Sequence, residues 1–407
     1  MITIDKLKNI IGGRDVYIWG TRIAGLSAAK ILPTYGINIK AFIDNIDNIQ
    51  SKLGLNILLP KELLNIQNKF IIICTRGHSP HVINTCIENN MTEKDFITWE
   101  ELQQFDYYIE INNRCNLNCM TCSQKKYNNI KPLLNMSISN FKEMLEKIRK
   151  EDPFTSWLNL FGYNEAFLNN DLSEMIKISN SLNFTVGLST NLAFNINFED
   201  VIKAKPLWIR VSISGYDKNY ELIHQGGKFD TVLKNLKLLS EYRNKHSKDT
   251  TIEILFHKYK HNLNDIPKIK KLCNDLGFEF RCIYASILGL ETVSDILDKK
   301  PLSLKTQTAL QYLCHSIEDT AKQSLKQKHF PCSYDHIIRI RSDLTIVDCQ
   351  CWSGSTITGL KFTDNISFEE LQNKLTNTKY CNTCKPKGLH QFYEIVFNEE
   401  NEKLSNL

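Results

Sequence analysis

Three cysteines fall within eight residues, in the run Arg114-Cys115-Asn116-Leu117-Asn118-Cys119-Met120-Thr121-Cys122. Thiolates at this spacing can wrap one metal centre, and the chemistry turns on whether a fourth protein ligand stands nearby. A structural zinc site is closed by four Cys or His side chains. Between Cys86 and His224 the chain has no other cysteine and no histidine. Three ligands leave one metal position open, which suits a [4Fe-4S] cluster whose fourth iron binds a substrate or cosubstrate. A zinc knuckle that recruits a distant ligand is the competing reading. A second group, Cys332, Cys349, Cys351, Cys381 and Cys384, lies toward the end of the chain. The alternation from Arg339 to Val347 predicts a β-hairpin ending beside Cys349, with Cys381-Asn382-Thr383-Cys384 following after a loop. Four thiolates suit zinc as well as iron, so spacing alone does not choose the metal.

The elements that must position these groups are legible from periodicity. At 407 residues the chain is long enough for two or three domains. Residues 1–104 read as a small doubly wound α/β domain: a strand at Asp15–Trp19, a glycine turn, a helix from Ile23, and further strands at Ile37–Ile43 and Phe70–Cys74. A boundary is expected at about 104. Over 105–325 strands at 107–111, 157–160, 184–189, 207–213, 252–258 and 278–284 alternate with helical patterns. Six such units predict a partial (β/α)6 barrel with its site at the C-terminal ends of the strands. Residues 326–390 form a small metal-dependent module, and 391–407 are expected to be a tail.

Composition excludes several functions. The 50 basic and 45 acidic residues leave a net charge of +5 with no concentrated basic face, so no nucleic-acid partner is expected. No run of 18 apolar residues predicts a membrane span. Thirteen cysteines, an odd number, with no export-type start argue for a reduced, cytoplasmic protein rather than a disulfide framework.

On its first cysteine group the sequence resembles the radical S-adenosylmethionine (SAM) superfamily, over roughly residues 105 to 390. The resemblance implies that Cys115, Cys119 and Cys122 hold a [4Fe-4S] cluster whose free iron chelates SAM. One electron then cleaves the sulfonium and yields a 5′-deoxyadenosyl radical that abstracts hydrogen from a substrate. Thr121 departs from the family, which often has an aromatic residue there. Phe161-Gly162-Tyr163-Asn164-Glu165 occupies the place of the family's Gly-Gly-Glu-Pro element, assigning Gly162, Asn164 and Glu165 to the methionine moiety. Ser189-Thr190-Asn191 resembles a ribose-binding Thr-Asn element, and is equally a helix N-cap composition. Val211-Ser212-Ile213-Ser214-Gly215 resembles the next strand and glycine turn, placing Ser212 and Ser214 near ribose or carboxylate. His224 stands roughly where the family has an arginine, as a polar substrate contact or a structural residue. The C-terminal module resembles a SPASM or twitch extension, implying one auxiliary [4Fe-4S] cluster on Cys332, Cys381, Cys384 and either Cys349 or Cys351, with Cys349 favoured.

Gly20-Thr21-Arg22-Ile23-Ala24-Gly25, with Asp44 closing the next strand, sits where a dinucleotide fingerprint would sit. Arg22 replaces the middle glycine, so the segment resembles small Rossmann-like domains that bind a nucleotide or nucleotide-sugar, or dock a partner. The expected reaction is dehydrogenation or epimerisation of a saccharide or nucleotide-linked metabolite, with a flavodoxin- or ferredoxin-type electron donor. Maturation of a ribosomally made peptide and a non-catalytic iron–sulfur interaction protein are the alternatives. In an epimerisation Cys282, on a barrel strand, would donate the hydrogen atom; otherwise it is a buried apolar thiol.

Overall fold

The computed structural model describes residues 2–45, 51–75, 79–103, 105–123, 133–352 and 356–403, so the expected boundary at 104 lies outside the described residues. The chain is α/β throughout and divides into two compact units. One holds 1–106 with 144–158 and 178–186; the other holds 107–143, 159–177 and 187–407.

In the first unit a six-stranded sheet has the order β3-β4-β2-β1-β5-β6. Its strands are β1 (Asp15–Trp19), β2 (Ile39–Ile43), β3 (Ser51–Lys52), β4 (Leu55–Leu58), β5 (Lys69–Ile73) and β6 (Phe96–Thr98). β1 lies parallel between β2 and β5, with Trp19 opposite both Ile43 and Ile73. The unbroken apolar run of β5 is explained by burial on both faces. After β1 the backbone turns sharply into the helix Ile23–Ile31. Gly20 has φ +114°, and a Cβ there would strike the Cys74 carbonyl, while one on Gly25 would strike the Gly20 carbonyl. The two glycines are therefore required by how tightly strand and helix meet.

Asp44 is engaged in the same turn. Its carboxylate accepts from the Thr21 backbone N–H (2.9 Å) and hydroxyl (2.5 Å) with one oxygen and from the Asn45 N–H with the other. It closes the turn from within. Arg22 is exposed and is the N-cap residue of the helix, with no side-chain cap bond.

The second sheet has nine strands in the order β12-β11-β10-β9-β8-β7-β13-β14-β15. These are β7 (Asp106–Ile109), β8 (Trp157–Asn159), β9 (Thr185–Thr190), β10 (Trp208–Ser212), β11 (Thr251–Lys258), β12 (Glu279–Tyr284), β13 (Ile337–Ile340), β14 (Thr345–Val347) and β15 (Thr356–Lys361). β7 to β12 lie side by side in chain order, and β9 to β12 pair in parallel, as six successive βα units require. β12 forms one end of the sheet. Beyond β7 the sheet continues into the antiparallel β13–β15, with the Glu110 N–H donating to the Ile340 carbonyl (2.8 Å). The hairpin expected as a separate module thus covers what would be an open strand edge.

The expected tail at 391–407 instead begins as a helix, Phe392–Lys403, because Phe392, Tyr393 and Val396 are buried against Leu389 and Leu290. Its Tyr393 hydroxyl donates to the Ile287 carbonyl (2.9 Å).

Candidate functional site

Residues 115–122 form a loop after β7 that has little regular structure of its own and is held by distant segments. The Asn118 N–H donates to the Gln225 carbonyl (2.8 Å) and the Met120 N–H to the Ile223 carbonyl (2.9 Å). Lys305 donates to the Asn118 side chain (3.1 Å) and to the Cys122 carbonyl (2.9 Å). Thr121, which replaces the usual aromatic residue, shares a hydrogen bond of 2.9 Å with the Tyr259 hydroxyl. Burial raises the Cys115 thiol to about 12, helped by the charges of Glu165 and Cys122. Cys119 is also raised well above the usual thiol range by burial and by Cys122 and Cys115. Cys115 and Cys119 therefore lie within electrostatic reach of each other and of Cys122, and burial keeps both of them protonated when no metal is bound.

Glu165 is buried after β8. Its carboxylate accepts from the backbone N–H of Phe167 (3.2 Å) and of Asn191 (2.7 Å). Burial nonetheless outweighs these bonds and pushes its pKa up to about 7. Asn191 in turn donates to the Asn116 side chain (3.0 Å) and toward the Cys115 sulfur (3.6 Å). Glu165 and Asn191 thus connect the ends of β8 and β9 to the cysteine loop. Gly162 is required for space, because a Cβ would overlap the Glu110 carboxylate. The Asn164 side-chain oxygen accepts from the Gly162 N–H (2.9 Å), and its buried amide nitrogen has no hydrogen-bond partner.

Ser189 and Ser212 lie on the polar face of the sheet. The Ser189 hydroxyl accepts from the Arg210 guanidinium (3.2 Å), and in the same row Arg281 pairs with Glu253 (3.1 Å). Ser212 ends β10 two residues after Arg210 and is half-buried. Ser214 differs from the expectation that it faces a cofactor. It is fully buried, its N–H donates to His224 Nε2 (3.1 Å), and its hydroxyl lies 3.2 Å from His257 Nδ1. His224 is likewise buried and does not present a free ring to a substrate. Its Nδ1 lies 3.4 Å from the Cys119 sulfur, and its ring stacks on Tyr220. Burial lowers its pKa to about 4.

The C-terminal cysteines are arranged differently. Cys332, Cys349, Cys381 and Cys384 all line one pocket, with Tyr334, Asp348 and the stacked pair Trp352 and Tyr380. Cys351 does not line it; it is buried and donates to Cys349. That bond and the backbone N–H groups of Cys351 and Trp352 bring the Cys349 thiol down to about 7 despite burial. Burial raises the Cys384 thiol to about 12 and the Cys332 thiol further.

Residues 109–273 match the family model described as the Radical SAM superfamily. This segment is a radical SAM domain. Over 122 residues, 29% of this chain, the protein is 33% identical to a 7,8-dihydro-6-hydroxymethylpterin dimethyltransferase of Methanocaldococcus jannaschii. The match spans 24% of that relative's length. Among solved structures, anSMEcpe with bound AdoMet aligns over 74% of this chain and 99% of its own, at 14% identity and a TM-score of 0.45. Streptococcus suis SuiB bound to precursor peptide SuiA aligns over 88% of this chain and 78% of its own, at 14% identity and a TM-score of 0.47.

A radical SAM domain uses a [4Fe-4S] cluster and SAM. Among the described residues no three His, Cys, Asp or Glu side chains already converge as metal ligands. The fit rests on the donor set: three mutually coupled thiols on one loop, next to a buried carboxyl and an amide. A bound metal deprotonates its thiols outright, so iron would displace the protons that burial retains.

Strand periodicity decides between the two expectations for Cys282. It is in register with Phe256, and Phe280, two residues earlier, faces Lys270 of the helix Ile266–Leu276. Alternation puts Cys282 on that helix-facing side, opposite the row of Ser189, Arg210, Glu253 and Arg281. Its burial, which raises the thiol to about 11, is that of an apolar core residue.

Sequence reasoning missed Lys305, Tyr259 and His257, each isolated in sequence from any cysteine. It also missed Arg339 on β13. That guanidinium is buried over the Tyr163 ring, 4.0 Å from Glu110, with Nε and Nη2 lacking hydrogen-bond partners. Among the described residues no helix is long and apolar enough to cross a membrane.

Proposed function

We propose that the protein is a radical SAM dehydrogenase, with Cys115, Cys119 and Cys122 holding the SAM-binding cluster and Cys332, Cys349, Cys381 and Cys384 an auxiliary [4Fe-4S] cluster. When bound, the first cluster and SAM supply a 5′-deoxyadenosyl radical, formed by one-electron cleavage of the sulfonium. The auxiliary cluster supplies an electron acceptor. Within the chain, Asn191 and Asn116 orient the loop at Cys115, and Glu165 offers an ionisable carboxyl for the SAM ammonium group. Gly162 lets the Glu110 carboxylate pack against the turn after β8 that carries Glu165. Burial of the site excludes water from a reactive intermediate.

The observation that carries this reading is that four C-terminal cysteines line one pocket, while a separate loop bears three more. It favours dehydrogenation over epimerisation, because a dehydrogenation needs an acceptor for the second electron and Cys282 faces away from the polar row. The substrate class proposed is a saccharide or nucleotide-linked metabolite bearing an anionic group. Support comes from the guanidinium of Arg339, whose Nε faces Glu110 and whose unbonded Nη2 suits a phosphate or carboxylate. The electron donor proposed is a flavodoxin- or ferredoxin-type protein.

Iron per chain after anaerobic reconstitution tests the assignment. Two clusters predict about 8 irons in the wild type and about 4 in a Cys115/Cys119/Cys122→Ala variant. SAM and strong reductant are then supplied with nucleotide-sugars or with a candidate precursor peptide, and 5′-deoxyadenosine is measured. Release stimulated by nucleotide-sugars supports the reading, and release stimulated only by peptide replaces it with peptide maturation. Two clusters without any SAM cleavage would indicate a non-catalytic iron–sulfur protein.

A further inference from the structure

His224 is placed as a hydrogen-bond donor to a cluster ligand, and the geometry of the surrounding backbone determines which nitrogen carries the proton. The Ser214 N–H donates to Nε2 at 3.1 Å, so Nε2 is an acceptor and holds no proton. A neutral imidazole has one N–H, which must then be on Nδ1. Nδ1 is the atom 3.4 Å from the Cys119 sulfur. Two further constraints hold the ring there. Tyr220 stacks on it with centroids 4.6 Å apart and planes at 25°. The backbone pairs from Asn118 to Gln225 and from Met120 to Ile223 bracket Cys119 and His224 on facing segments.

We infer that His224 is a positioning residue whose Nδ1–H donates to the Cys119 thiolate and raises the reduction potential of the SAM-binding cluster. The inference rests on the assignment of Cys119 as a cluster ligand. Reduction by a flavodoxin- or ferredoxin-type donor adds one electron to the [4Fe-4S]2+ state, giving [4Fe-4S]+; no bond forms or breaks, and His224 keeps its proton. The added electron increases negative charge on the ligand sulfurs, so a donor aimed at one of them stabilises the reduced state more than the oxidised one. Ser214 orients the donor by occupying Nε2, and its hydroxyl contact with His257 fixes Ser214 in turn.

The test is a redox titration of the anaerobically reconstituted full chain, followed by electron paramagnetic resonance. The signal that changes on adding SAM identifies the relevant cluster. His224→Gln keeps a carbonyl for the Ser214 N–H and removes the proton facing Cys119. It is expected to lower the reduced-to-oxidised ratio at fixed potential about tenfold, a midpoint about 59 mV more negative for one electron. His224→Asn places an amide N–H where Nδ1–H lies and is expected to stay within about twofold of wild type, a bound drawn from the same relation. If Gln prevents cluster loading, the Asn variant decides alone: a wild-type midpoint supports the inference and a shifted one overturns it. An unshifted Gln variant, equal shifts in both, or loss of the cluster from both also overturns it. Failure of the parent assignment is distinguishable, because the wild type would then show no SAM-responsive signal.

Discussion

The two cysteine groups solve different problems with the same side chain. The loop at 115–122 offers three thiols and depends on other parts of the chain to hold it, through 223–225, Lys305 and Tyr259. Its polar neighbours, Glu165 and Asn191, are of the kind that bind a small charged molecule. The C-terminal group offers four thiols around one pocket walled by Trp352 and Tyr380, and draws Cys349 down to about 7 with local N–H and S–H donors. A three-thiol site leaves iron open for chemistry, whereas a four-thiol site closes it for electron storage or structure.

The sharpest way to break that comparison is to remove each group in turn. Cys115/Cys119/Cys122→Ala is expected to abolish 5′-deoxyadenosine formation, while Cys332/Cys381/Cys384→Ala retains SAM cleavage and loses the dehydrogenated product. Chromatography of both products checks this, and abolition of SAM cleavage by the second variant would mean the sites are not separable. Within the C-terminal group, Cys349→Ala is expected to lower iron by about 4 per chain, the content of one cluster. Cys351→Ala should keep that iron and raise the Cys349 thiol pKa, read by thiol alkylation of the iron-free protein against pH.

Glu165 sharpens the comparison on the SAM side. Its folded pKa of about 7 exceeds the ordinary 4.5, so from pH 4.5 to 7 the unfolded chain has lost a proton that the folded chain keeps. Stability therefore falls as pH rises through that window, by about 3 kcal/mol, and the loss is complete above it. Glu165→Gln should flatten that part of the profile in denaturant titrations of the iron-free protein. Lys305→Met removes two bonds to the loop and is expected to cost about 1 to 3 kcal/mol, read as faster iron loss to a chelator. The smallest effect is expected for Cys282→Ala: an unchanged product distribution and a stability change of about 1 kcal/mol.

Much of the fold was legible because hydrophobic periodicity is local. The six strands β7–β12 coincide with the predicted ones to within two residues at either end, and β5 declared itself by its unbroken apolar run. Pairing partners of the hairpin β13–β14 were not legible, since an antiparallel hairpin carries no local signal of which edge it will cover. The partner of Asp44 was not legible for a related reason: an acid at a strand end looks the same in sequence whether or not it meets the Thr21 N–H. Cys282 and His224 were identified by type, but the faces they occupy depend on neighbours dozens of residues away.

The sequence by itself determined the chemistry on offer: three thiols at loop spacing with no local fourth ligand, five more toward the end of the chain, and a βα framework to carry them. Ligand type and local spacing are properties of adjacent residues, and no folding is needed to read them. Tertiary structure alone decided which groups meet. It put His224 Nδ1 beside Cys119, turned Cys282 toward the helices, and gave Cys349 rather than Cys351 to the pocket. Each of those outcomes is set by the packing of segments far apart in the chain, where a one-residue change of register would reverse the face.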